Sequence, residues 1–230
     1  MESRTRAPLT KRVVAEALGT FFLLAAVVGS GIMAERLANG NTALALLANT
    51  VATGAALVAL IISFAPVSGA HFNPVVTLSF ALRFELPWSE VPFYVLAQVV
   101  GGIGGVMAAN TMFGLPAVFV SQHTRSGMAQ LFSEFIATLG LLSVIHAASR
   151  STVAVVAIAV GAYITAAYWF TASTSFANPA VTIARCLSDT FAGIRPADVP
   201  GFVLAQLAGG LAATLLFRWL MPDKYETRAS

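Results

Sequence analysis

Two Asn-Pro pairs, Asn73-Pro74 and Asn178-Pro179, each open an apolar stretch too short to cross a bilayer. Asn73–Leu82 and Asn178–Leu187 are helix-compatible, but at 1.5 Å per residue each covers only about 15 Å, half of a ~30 Å hydrocarbon core. Asparagine is a favoured N-cap and proline a favoured first helical residue, so each pair reads as a helix start. The residues just before them, Ser68-Gly69-Ala70-His71-Phe72 and Thr174-Ser175-Phe176-Ala177, are rich in small and polar side chains suited to irregular backbone. Such backbone survives at membrane depth only against protein or a water-filled cavity. One copy would be an ordinary loop-to-helix start. Two copies in matching positions predict a pair of re-entrant half-helices.

The rest of the chain supplies the membrane. Of its 230 residues 57% are hydrophobic and 10% charged, where a soluble domain has about 25% charged. Six segments reach spanning length: Val13–Met33, Thr42–Phe64, Pro92–Phe113, Gln130–Ala148, Val153–Phe170 and Val199–Met221. The expected fold is an all-α membrane protein of six transmembrane helices plus two half-helices. The basic N-terminus (Arg4, Arg6, Lys11, Arg12) precedes an apolar run too long for a signal core. With an even number of spans both termini share a side, which would then hold Arg4, Arg6, Lys11, Arg12, Arg83, Arg150, Arg218, Lys224 and Arg228. Arg36, Arg125, Arg185 and Arg195 fall on the other. That asymmetry predicts cytoplasmic termini. The lone Cys186 excludes an intrachain disulfide and a Cys-rich metal site. No phosphate loop, zinc-protease pattern, nucleophile elbow or basic nucleic-acid stripe is present, so neither an enzyme, nor a metal or cofactor, nor a nucleic-acid partner is expected.

An internal repeat orders these elements. Glu16 with Thr20 is echoed by Glu134 with Thr138, and Val95-Leu96-Ala97-Gln98 before Gly101-Gly102 by Val203-Leu204-Ala205-Gln206 before Gly209-Gly210. The Asn-Pro elements lie between them in each half. Three spans per half make the second repeat enter from the opposite face, an inverted arrangement with a site where the repeats meet. We therefore read residues 1–230 as one domain, with repeats over about 11–113 and 129–221. Half-helices entering from opposite faces would meet with their positive dipole ends at the midplane. There the amides of Asn73 and Asn178 can hydrogen-bond a passing neutral molecule while cations are repelled.

At these residues the chain resembles the aquaporin, or major intrinsic protein, family. Gly69-Ala70-His71-Phe72-Asn73-Pro74-Val75-Val76-Thr77 is similar to the first signature loop of that family, with Val75 in place of its alanine, and Ser175-Phe176-Ala177-Asn178-Pro179-Ala180 to the second. The resemblance implies a homotetramer with one pore per protomer in a plasma (bacterial inner) membrane. It also implies that Glu16 and Glu134 hold the re-entrant loops through backbone amides. A carboxylate in lipid must in any case find donors; a proton-relay role is the competing reading.

The resemblance also places a selectivity filter by offset from the two asparagines, at Thr53, Ala166, Ser175 and Val181. Water-selective members usually carry Phe, His, a small residue and Arg there, so this filter is wide and lacks the arginine. Valine at the arginine's place resembles the arsenic-related aquaglyceroporins of bacteria. The expected function is passive passage of small neutral solutes: arsenite and methylated arsenicals, with polyols and water. The alternatives are a water, glycerol, urea or ammonia channel of the same fold, or an ion-coupled secondary transporter. Arg185, one turn after Val181, can lean back over it to restore a positive mouth; otherwise it reaches the headgroups or pairs with Asp189. His71 is a pore-lining or structural residue, or a pH gate. His146 reads as a helix-end residue, and Tyr168 and Trp169 as packing or interface aromatics.

Overall fold

The computed structural model describes residues 6–221; Arg4, Lys224 and Arg228, part of the charge asymmetry above, lie outside the described residues. It is all-helical, and six of its helices are long and apolar enough to cross a membrane. In chain order they are α1 (Leu9–Leu37), α2 (Thr42–Ser68), α4 (Val91–Met112), α5 (Met128–Ala148), α6 (Val153–Phe170) and α8 (Val199–Leu220). Between them lie the short helices α3 (Pro74–Leu82) and α7 (Pro179–Arg185). The chain is thus a multi-pass membrane protein.

Several boundaries differ from the sequence expectation for physical reasons. Helix α1 starts four residues before Val13 because Arg12, although charged, is satisfied where it stands. Its guanidinium donates to both Glu90 oxygens, at 2.5 and 2.7 Å, and to the Ala7 carbonyl. Helix α2 runs through Pro66 to Ser68 and stops at Gly69, whose φ of 94° closes the last turn. Proline removes one amide donor and crowds the carbonyl four residues back, yet the helix continues through it. Helix α7 has seven residues, shorter than the stretch to Leu187.

Within each half the first and last spans pack backbone to backbone. Gly101 and Gly105 of α4 lie against the Ala17 and Phe21 carbonyls of α1, and Gly209 of α8 lies against the Phe135 carbonyl of α5. A methyl group at any of the three would overlap those carbonyls, so only glycine permits the crossing. In membranes, where lipid tails compete with apolar side chains, close contact of this kind is a main source of helix association. Helices α2 and α6 also approach closely at Gly54 and Gly161, where the Thr165 hydroxyl and a Val58 methyl occupy the space a side chain would take. The outward sides of the spans carry exposed Phe22, Leu96, Phe132, Ile158 and Leu204.

Candidate pore and its constriction

Each half-helix is capped by its own asparagine. Asn73 Oδ1 accepts from the Val75 amide at 2.9 Å, and Asn178 Oδ1 accepts from the amides of Ala180 and Val181 at 2.9 and 3.3 Å. The side-chain nitrogens cross over: Asn73 Nδ2 donates to the Ala177 carbonyl and Asn178 Nδ2 to the Phe72 carbonyl, both at 2.8 Å. An amide NH₂ has two hydrogens, so each asparagine keeps one for the lumen, which both side chains line.

The loops feeding these helices are held in unusual backbone. Ala70 and Phe72 have φ of 51° and 49°, and the corresponding Ser175 and Ala177 have 50° and 49°. Non-glycine residues in this left-handed region cost about 1–3 kcal/mol each and persist only where the surroundings fix them. The fixing groups are two fully buried carboxylates. Glu16 accepts from Ser68 Oγ, the His71 and Phe72 amides and Gln98 Nε2, at 2.6 to 3.0 Å. Glu134 accepts from the Phe176 and Ala177 amides and Gln206 Nε2, at 2.6 to 2.9 Å. Gln98 and Gln206 also donate to Thr77 and Thr182, so the two networks match across the repeat.

A cavity of about 120 Å³ runs past both asparagines, room for a file of waters or a small solute. Leu57, Ile61, Leu141, Val156, Val160 and Ile164 make its apolar wall. Towards the Arg12 end it passes His71 and Phe80 into a wider vestibule that also holds Arg6, Arg12 and Glu85. His71 is buried, with Nδ1 3.1 Å from Thr77 Oγ1 and its ring 4.6 Å from that of Phe80. His146, also buried and two residues from the end of α5, hydrogen-bonds Ser79 Oγ of α3 at 2.8 Å, the satisfied helix-end residue the sequence suggested.

Towards the other end the lumen meets Thr53, Ser175, Val181, Tyr168, Phe176 and Arg185. Three of the four residues named by offset therefore line it. Ala166 does not: it is exposed on the outer side of α6. The lining face of α6 is Val156, Val160, Ile164 and Tyr168, four residues apart, as one face of an α-helix requires. Tyr168 stands where Ala166 was expected, 4% exposed, with its hydroxyl 3.3 Å from Thr53 Oγ1. It is a pore residue, and only Trp169 beside it faces outward, half exposed. Val75, the departure from the first signature loop, packs against Gly210 of α8, whose missing side chain receives its methyl groups. It takes no part in the cavity wall, so its bulk does not narrow the lumen.

Arg185 bends into the cavity and neither reaches outward nor pairs with Asp189. It is 2% exposed, its Nε donates to the Ala192 carbonyl, and its guanidinium carbon lies 3.5 Å from the centre of the Phe176 ring. Asp189 instead accepts from the Gln122 amide at 2.8 Å. A second cation, which the sequence reading missed, lies over the same ring. Arg125, from the loop between the halves, has its guanidinium carbon 4.9 Å from the ring centre and donates to the carbonyls of Gly193, Ser173 and Phe191. Burial pushes its pKa down to about 10, so it stays protonated at neutral pH. Nothing in the sequence spacing points to Arg125, because the partners of its guanidinium lie 48 to 68 positions away.

Six spans around two head-to-head half-helices, with both asparagines and a few polar side chains lining an otherwise apolar bore, define a channel-forming membrane protein. Comparison with known sequences gives the family. The model of the major intrinsic protein family matches residues 3–155 and 145–230, and the chain belongs to that family, whose members are passive channels and not enzymes. It is 56% identical to "Aquaglyceroporin AqpS" of Rhizobium meliloti (strain 1021) over 213 residues, 93% of this chain and 91% of that one. "Aquaporin NIP3-1" of Oryza sativa subsp. japonica is 36% identical over 68% of this chain and 51% of its own, so the chain spans about half of that relative. Among solved structures, the aquaglyceroporin from Plasmodium falciparum superposes with a TM-score of 0.76 at 19% identity, covering 94% of this chain and 98% of that one.

Proposed function

We propose that the chain conducts small neutral polyhydroxylated solutes, with arsenous acid and methylated arsenicals foremost and glycerol and water beside them. The observation that carries this reading is the composition of the constriction. Val181 puts an apolar, uncharged surface into the wall, while Thr53, Tyr168 and Ser175 bring three hydroxyls to the same short stretch. Arsenous acid is neutral at pH 7 and carries three hydroxyls in a pyramid of polyol-like size. It can exchange hydrogen bonds with such a ring while its other face slides along Leu57, Ile61 and Val160. The name of the Rhizobium meliloti relative supports the broader solute class. In this reading the pore sits in the inner membrane of a bacterium, the Arg12 end is cytoplasmic, and four copies assemble.

Stopped-flow permeation in proteoliposomes tests it with water, glycerol, urea, arsenite and methylated arsenicals, on the natural chain and on Val181→Arg. Arsenite flux linear in concentration and independent of ion gradients is expected, and Val181→Arg is expected to suppress it. Water movement without arsenite movement would leave a water channel of the same fold. Saturable flux driven by an ion gradient would instead indicate a coupled transporter.

A further inference from the structure

The Arg185 end of the lumen holds positive charge that its own wall does not balance. Among the described residues no aspartate or glutamate lines the cavity. Among the described residues Arg185 makes one hydrogen bond, from Nε, and no ion pair, so both Nη groups of its planar fork lack a protein acceptor. Ser175, 3% exposed in the same wall, has a hydroxyl with no hydrogen-bond partner among the described residues. Tyr168 and Thr53 bring two further hydroxyls that meet each other only at 3.3 Å. Arg125 adds a second guanidinium on the same Phe176 ring, with its donors spent on backbone carbonyls and on Thr174 Oγ1 and none on a carboxylate.

Buried cations are normally paired. Glu134 behind the loop attracts both guanidinium groups, but its oxygens are taken by the Phe176 and Ala177 amides and Gln206; the Arg185 fork therefore stands at the lumen beside an unsatisfied hydroxyl with no carboxylate on it. We propose that Arg185 and Ser175 form a binding subsite for small oxoacid monoanions, of which a carboxylate such as acetate is the simplest. The guanidinium fork matches two carboxylate oxygens in one plane, a geometry that a spherical ion cannot use. Ser175 supplies a third donor, and Arg125 contributes field without touching the ligand. The narrow bore restricts the ligand to a few heavy atoms. Neutral solutes and anions would then compete for the same end of the pore, which rests on the channel reading only for that competition.

Calorimetric titration of acetate into the purified protein in detergent at pH 7.5, with chloride as a control of equal charge, tests binding independently of transport. Saturable acetate binding clearly stronger than that of chloride is expected. Arg185→Ala should weaken it by about tenfold or more, and Arg185→Lys, which keeps the charge and loses the fork, by several-fold. Ser175→Ala should weaken it by a smaller factor in a chain that folds normally, so the test survives if Arg185→Ala does not fold. No saturable acetate binding, equal binding of chloride, or unchanged binding in both Arg185→Lys and Ser175→Ala would overturn the proposal. Glycerol flux in proteoliposomes, measured on the same preparations, separates the two readings. Its absence would refute the neutral-solute channel while leaving the anion titration to stand or fall alone.

Discussion

Asn73 and Asn178 each reach across the midplane to the other half's loop, Asn73 to the Ala177 carbonyl and Asn178 to that of Phe72, both at 2.8 Å. Each asparagine therefore does three things: it caps its own half-helix, ties the opposing tip and leaves one donor for the lumen. Replacing Asn73 by aspartate keeps the cap but turns a donor into an acceptor facing a carbonyl. We expect Asn73→Asp to destabilise the protein by about 2–4 kcal/mol, read as a lower melting temperature in detergent. An unchanged melting temperature would mean that the crossed pair contributes nothing to folding.

The two carboxylates behind the loops should behave alike. Glutamine at Glu16 or Glu134 sets an NH₂ group against donors that now point at oxygen, leaving at least one backbone amide without an acceptor. Glu16→Gln and Glu134→Gln should each reduce the yield of monodisperse protein severely, measured by size-exclusion chromatography. A stable, well-folded variant that no longer conducts would point instead to a proton relay.

The register of α6 can be tested by a pair of changes two residues apart. Ala166→Phe puts a ring on the outer surface and should leave glycerol flux within about twofold of the natural chain, as surface changes usually do. Tyr168→Ala removes a ring from the constriction and should raise the flux of larger polyols relative to water. The reverse pattern would restore Ala166 to the pore.

Val75 and Gly210 make a packing prediction that conduction should barely register. Val75→Ala leaves a void against α8 and should cost about 1–3 kcal/mol, with water and glycerol permeability per folded molecule unchanged. A marked change in permeability at equal protein amount would place Val75 in the lumen after all.

What could be read from the sequence was whatever local chemistry dictates. The Asn-Pro caps, the half-length helices and the Glu-Thr and Gln-Gly-Gly echoes are short patterns whose meaning does not depend on distant partners. The misplacement of Ala166 arose from counting back from Asn178 across a loop. A two-residue difference in that loop turns a helix by about 200°, and the four-residue spacing from Val156 to Tyr168 was the better guide. Helix α2 runs four residues past the expected end at Phe64, to the left-handed Gly69 that closes it. The position of Val75 depended on a glycine in α8, and the role of Arg125 on Phe176 and on a loop that follows α7. Neither relation leaves a trace in spacing.

The glycine contacts between α1 and α4 and between α5 and α8 have a mechanical consequence. Where main chain rests on main chain no side chain is left to change rotamer, and the helices cannot slide without breaking the contact. The bore is therefore a stiff tube of fixed calibre. Any adjustment of flow must come from the side chains at its two ends, and passage through it should carry the shallow temperature dependence of diffusion along an open path.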